Sequence, residues 1–79
     1  MWEVKTVKHF EDKIAERHIL FEWCERVVRQ PLEMEQQPNG RFRMWGFIVE
    51  RGKFLRVVLL EDKETYLTAT WDRRYKVRP

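Results

Sequence analysis

His9, Arg17, Arg43 and Arg56 are the residues of this chain whose types suit chemistry on a phosphodiester. Metal-free cleavage of RNA needs a base for the 2′-hydroxyl proton, cations for the charge that builds on phosphorus, and an acid for the leaving oxygen. A histidine, with an ordinary pKa of about 6.5, suits the first or the last role. Guanidinium groups suit the middle one, because their planar fork grips two phosphate oxygens together. Arg17 falls seven positions after Phe10, near the apolar stripe of its segment, and Arg56 shares a row with Phe54, Val58 and Leu60. Arginines in apolar rows are seldom there only to be solvated. Each residue also has a plainer use: Arg17 as a C-terminal helix cap, Arg56 in a cross-strand ion pair with Glu33 or Glu35, His9 as a surface histidine.

Other chemistries find no residues to carry them. Structural zinc wants four ligands that usually arrive as close pairs, and His9, His18 and Cys24 form no such pair. Cys24 sits on an apolar helical stripe, where a thiol is a small hydrophobe and inert as a nucleophile. The chain contains no serine, which excludes a serine triad, and its three glycines stand apart, which excludes a phosphate-cradling loop. Glu61 and Asp62 read as solvated turn charge, and Glu33 with Glu35 as charge on an exposed edge strand that discourages aggregation. No metal and no cofactor is expected.

A binding surface is the competing reading. Four tryptophans in 79 residues is a high share, and aromatics recur beside arginine in Arg43-Met44-Trp45 and in Trp71-Asp72-Arg73-Arg74-Tyr75. Arginine beside an exposed ring can stack unpaired bases and hold their phosphates. The same pairing builds protein interface anchors. Trp23 lies on an apolar stripe and is expected in the core.

The elements that must position these residues follow from periodicity. Thr6 can cap a helix from Val7 to Arg17, with Val7, Phe10 and Ile14 on one stripe. A second helix, Leu20 to Arg29, carries Leu20, Trp23, Cys24, Val27 and Val28 on its apolar side and is closed by Pro31. The period then changes to two. Leu32 to Gln37 is a weak first strand, and Asn39-Gly40 is the strongest hairpin signal. Strands follow over Arg41 to Glu50, Lys53 to Leu60 and Thr65 to Trp71, and the basic tail Asp72 to Pro79 ends the chain. The expected fold is α+β: two N-terminal helices on one face of a four-stranded antiparallel meander, one domain over residues 1–79.

Alternation assigns Leu55, Val57, Leu59, Leu67 and Ala69 to the face beneath the helices. The opposite face receives Arg56, Tyr66, Thr68 and Thr70. If Phe42, Met44 and Ile48 point to the core, Arg41, Arg43 and Trp45 join that open face. It would then be cationic and hydroxylic, with an aromatic for stacking. The charge is divided in the same sense: of the net +3, residues 1–40 carry −2 and residues 41–79 carry +5. The single cysteine excludes an internal disulfide and suits a reducing cytoplasm, no apolar run approaches the ~18 residues of a membrane span, and Met1 to Lys5 lacks the order of a signal peptide.

The stretch His9-Phe10-Glu11-Asp12-Lys13-Ile14-Ala15-Glu16-Arg17-His18-Ile19 resembles the opening of a small bacterial domain family grouped with the RelE-like toxins, within the barnase–EndoU–colicin–RelE group of ribonuclease folds. Gly40-Arg41, Phe54-Leu55-Arg56-Val57-Val58 and Leu67-Thr68-Ala69 are similar to that family's sheet, and the likeness runs over residues 7–71. The resemblance implies two helices on a curved antiparallel sheet whose opposite face meets RNA or ribosome-associated RNA. Relatives are commonly toxins covered by an antitoxin protein. By position, His9, Arg17, Arg56 and Thr68 would be the catalytic motif residues. The chain departs from the pattern twice: Thr70 stands where an aromatic is usual, and His18 where glycine is usual. Arg41, Arg43, Trp45, Thr70, Arg73 and Arg74 are the expected nucleic-acid contacts, and a noncatalytic module is the alternative.

Overall fold

Main-chain pairing with the sheet, rather than a side-chain cap, decides where the first helix begins. In the computed structural model, which describes residues 5–77, the segment from Lys5 to Val7 runs beside the last strand. Tyr66 N–H donates to the Lys5 carbonyl at 2.8 Å and Val7 N–H to the Tyr66 carbonyl at 2.9 Å, with Thr6 bridged in parallel to Tyr66. Thr6 therefore caps nothing, and α1 spans Phe10–Glu16, three residues shorter at its start than periodicity suggests. A tight turn, Phe10 N–H to the Val7 carbonyl at 3.1 Å, leads into it, with His9 in left-handed backbone at φ 72°.

The far end of α1 closes in a Schellman motif. Ile19 N–H reaches back to the Ile14 carbonyl at 2.9 Å, and His18 N–H to the Ala15 carbonyl at 3.2 Å. That geometry holds His18 at φ 57°, a conformation glycine adopts without steric cost. The second helix, α2, spans Phe21–Arg29 and buries Trp23, Cys24 and Val27 as its stripe implies. Leu20 leaves the stripe. It precedes the helix in extended backbone and is half exposed, while Phe21 turns in against Phe10 and Tyr66.

The sheet is the expected antiparallel meander: β1 (Glu33–Gln36), β2 (Phe42–Ile48), β3 (Lys53–Leu59) and β4 (Tyr66–Trp71), adjacent in that order. Pro38 alters the first turn. Gly40 N–H donates to the Gln37 carbonyl at 2.8 Å and Gln37 N–H to the Arg41 carbonyl at 2.7 Å, so the loop has three residues, Pro38-Asn39-Gly40. Proline presets the early turn position, and Gly40 supplies the left-handed step at φ 90°.

Helix α1 lies along β4, and α2 lies over β2 and β3. The core joins Phe10, Ile14, Ile19, Trp23 and Val27 to Phe42, Met44, Ile48, Leu55, Val57, Leu59 and Ala69. Strict alternation would add Leu67 and send Tyr66 to the open face; a β-bulge reverses the two. The register passes from Val58 opposite Thr68 to Leu59 opposite Tyr66, which leaves Leu67 as the extra residue. Tyr66 is buried instead, its ring centroid 5.5 Å from Phe10 and 5.1 Å from Phe21. No helix among the described residues is long and apolar enough to cross a membrane. Met1 to Val4 and the last two residues of the tail, Arg78 and Pro79, lie outside the described residues.

Gly46 sets how closely α2 approaches the sheet. A Cβ there would stand 2.8 Å from Val27 Cγ2, a stiff buried side chain with little room to yield. Gly46→Ala is expected to cost about 1–3 kcal/mol, read as a lower urea midpoint with an unchanged m-value. His18→Gly is expected to do the opposite. Relief at the left-handed position should add about 1 kcal/mol and raise Tm by roughly 4–8 °C in a thermal melt.

Candidate functional site

With Phe42, Met44 and Ile48 in the core, the intervening residues of β2 face away from the helices. Registers then fix the rows of the open face: Glu35, Arg43, Val58 and Thr68 in one, Glu33, Trp45, Arg56 and Thr70 in the next, Phe47 and Phe54 beyond. Thr68 and Thr70 are two positions apart on this face of β4, and Arg56 is directly across from Thr70.

Arg17 reaches this face around the sheet edge. Its Nη1 donates to the Ala69 carbonyl at 2.8 Å and to Thr68 Oγ1 at 3.2 Å. Its own carbonyl accepts from Trp71 Nε1 at 2.9 Å. The guanidinium therefore caps no carbonyl of its own helix; it caps the outward edge of β4. Three of the four motif residues, Arg17, Thr68 and Arg56, lie with Thr70 in one strip. His9 does not join them. It stands at the other end of α1, eight residues from Arg17, about 12 Å along the helix axis. Its Nδ1 is 3.4 Å from Asp12 Oδ2, and its side chain is 61% exposed.

The tail changes what the open face presents. Asp72 Oδ1 accepts from the backbone N–H of Arg74 at 3.0 Å and of Tyr75 at 3.1 Å, which folds the chain back over the sheet. Asp72 Oδ2 accepts from Trp45 Nε1 at 2.9 Å and lies 3.6 Å from Arg56 Nη1. Tyr75 stacks on Trp45, centroids 5.2 Å apart and planes at 13°, and its hydroxyl donates to Glu33 Oε1 at 3.0 Å. Phe54 meets Tyr75 edge-on, and Phe47 meets Phe54. Trp45, expected as an exposed stacking ring, is consequently only 7% exposed.

The arginines divide into bound and unbound. Arg43 is ion-paired with Glu35 and lies against the Trp45 ring at 5.7 Å, and its Nε is buried with no hydrogen-bond partner. Arg56 pairs with Asp72 and not with the expected Glu33 or Glu35; the folded-back tail supplies the carboxylate. Arg41, Arg73 and Arg74 are exposed and have no side-chain partner among the described residues. The Asp72 turn holds the last two outward, beyond the end of β4. Asp72, which sequence reasoning passed over, is the residue that organises this face. An aspartate just after a strand and two residues before a backbone N–H is the signal of an Asx-turn.

Chemically, the strip offers guanidinium and hydroxyl donors to an anion. No group of three or more histidine, cysteine or acidic residues that could hold a metal occurs among the described residues. Cys24 is buried, and burial pushes its thiol up to about 12. Comparison with protein-family models, with curated protein sequences and with solved structures found no match to this chain.

Burial pushes the Asp72 carboxyl up, but the Trp45 indole, the Arg74 N–H, the Arg56 guanidinium and the Tyr75 N–H together outweigh it. The net effect holds the carboxyl below the usual carboxylate range. A depressed folded pKa means that the tail clamp is at full strength above the unfolded value of about 3.9 and is lost as pH falls through the lowered one. In an NMR titration the Trp45 indole N–H and the Tyr75 ring signals should move together below about pH 4. Asp72→Asn should remove that titration, and an unchanged acid transition in this variant would assign it elsewhere.

Proposed function

We propose that this chain is an RNA-directed domain of RelE-like layout that holds RNA by its backbone and does not cut it. The observation that carries the reading is the strip of Arg17, Thr68, Thr70 and Arg56 along β4, continued by Arg73 and Arg74 on the Asp72 turn. Thr68 and Thr70, about 7 Å apart at alternate positions of β4, set two hydroxyls beside guanidinium groups brought from α1 and β3, an arrangement that suits the phosphates of an extended strand. Arg73 and Arg74 are exposed, free of acidic partners among the described residues, and ready to exchange counterions with a polyanion.

The resemblance supports the same face, since its motif arginines and threonine fall in the strip. It also implies a histidine there. His9 stands about 12 Å away along α1, with its ring toward Asp12. Cleavage needs an acid or base within hydrogen-bond reach of the reacting atoms, and none of Arg17, Arg56, Thr68 and Thr70 is suited to that work near neutral pH. The domain is therefore read as a degenerate relative of the RelE-like toxins: a binder retaining the phosphate contacts. A protein inhibitor of the antitoxin kind would compete for this same surface.

Labelled single-stranded RNA, followed by fluorescence anisotropy across a salt series, tests the reading. The slope of log affinity against log salt should fall by about 0.7 for each phosphate contact removed. Arg73→Ala/Arg74→Ala and Arg56→Ala should lower both affinity and slope, and His9→Ala should change neither. Absence of salt-dependent RNA binding by the wild type would sink the proposal. Inducing the wild type in bacteria should leave transcripts intact; transcript loss that His9→Ala/Arg56→Ala abolishes would restore the nuclease reading.

A further inference from the structure

The sheet has two edges, and the chain treats them differently. On β4 the outward backbone groups meet the chain itself, through Lys5 to Val7 at Tyr66 and through Arg17 at the Ala69 carbonyl. Nothing comparable covers β1 among the described residues. Gln37 N–H donates to the Arg41 carbonyl at 2.7 Å, and Glu35 lies opposite Arg43, so the odd-numbered residues of this strand turn their backbone groups toward β2. Met34 and Gln36 turn theirs outward.

The helical layer also stops short of β1, since α2 lies over β2 and β3. Met34 shares the helix-side face with its cross-strand neighbour Met44, yet Met34 is 48% exposed and nearby Leu32 54%. On the other face the strand presents Glu33 and Glu35. The edge thus combines outward hydrogen-bonding groups, an apolar face and an acidic face.

We propose that β1 is a docking edge for an extended segment of another protein in which apolar and basic residues alternate. Such a segment adds a fifth strand by main-chain hydrogen bonds to Met34 and Gln36. Its apolar side chains fall on the side of Met34, and its lysines or arginines fall beside Glu33 and Glu35. The Glu35 carboxylate keeps 40% exposure while paired with Arg43, which leaves it open to a second cation. Charge complementarity selects this occupant over a second copy of the chain. Antiparallel self-pairing about Met34 would set Glu33 opposite Glu35 of the other copy, and like charges directly opposite are destabilising. The edge is independent of the RNA strip on β4, so either proposal can fail without the other.

The probe is a capped octapeptide of alternating valine and lysine, with a valine–glutamate octapeptide as its counterpart. Binding is read by amide chemical shifts and hydrogen exchange in the full chain. The lysine peptide should shift and protect the Met34 and Gln36 amides, and the glutamate peptide should not. Met34→Pro removes an outward N–H and no ladder bond, and should weaken binding about tenfold with the other amide resonances retained. Should that variant unfold, Met34→Lys tests the same edge by setting a charge against the apolar side chains of the peptide. Failure of the lysine peptide to bind, equal binding of the glutamate peptide, or protection mapping elsewhere would overturn the proposal. Self-association in sedimentation that Met34→Lys abolishes would overturn it in favour of a second copy.

Discussion

The outward edge of β4 is the constraint around which the rest of this small domain is arranged. An edge strand leaves backbone donors and acceptors without partners, and groups of that kind must be satisfied by water or by the chain. Here Lys5 to Val7 pairs with Tyr66 at one end, and Arg17 takes the Ala69 carbonyl at the other. These two attachments hold α1 along the strand between them; the first sets where the helix begins, and the turn through His18 and Ile19 ends it. They also bring the Arg17 guanidinium to Thr68, so that one act of edge closure creates the cationic margin of the open face.

A second device, the bulge at Leu67, makes that closure compatible with a core. By taking one residue out of the alternation it turns Tyr66 inward against Phe10 and Phe21, at the end of the strand where α1 starts. Beyond the bulge, Ala69 faces the helices while Thr68 and Thr70 face out. The strand therefore contributes an aromatic to the core at one end and two hydroxyls to the surface at the other. A chain of 79 residues has few spare positions, and β4 serves packing and surface chemistry together.

The excess of positive charge in the second half is less available than composition suggests. Arg43 pairs with Glu35, and Arg56 pairs with Asp72. The Arg26–Glu50 contact bridges α2 to the turn after β2, and its hydrogen bonds hold the Glu50 carboxyl down at about 2. What remains for a partner includes Arg41, Arg51, Arg73, Arg74 and Lys76, with the edge-capping Arg17 beside Thr68. The Asp72 turn thus both uses and displays charge, neutralising Arg56 while Arg73 and Arg74 on the same turn stay exposed.

The order of elements, the fold class and most of the core were legible in the sequence because they rest on periodicity, a local property. The 3.6-residue stripe of α2 and the alternation of β3 name their buried residues without reference to anything distant. The sequence also indicated that Arg43 and Trp45 would share a face once Phe42, Met44 and Ile48 turned inward. It could not indicate that a tail would return to cover Trp45, because that contact joins positions 27 residues apart through a turn made by Asp72. Nor could it show His9 standing apart from Arg17, Arg56 and Thr68. Spacing along a chain gives the face of an element, whereas convergence depends on which ends of two elements meet. Tertiary structure alone decided that, by laying α1 along β4 so that only its C-terminal end adjoins the threonines.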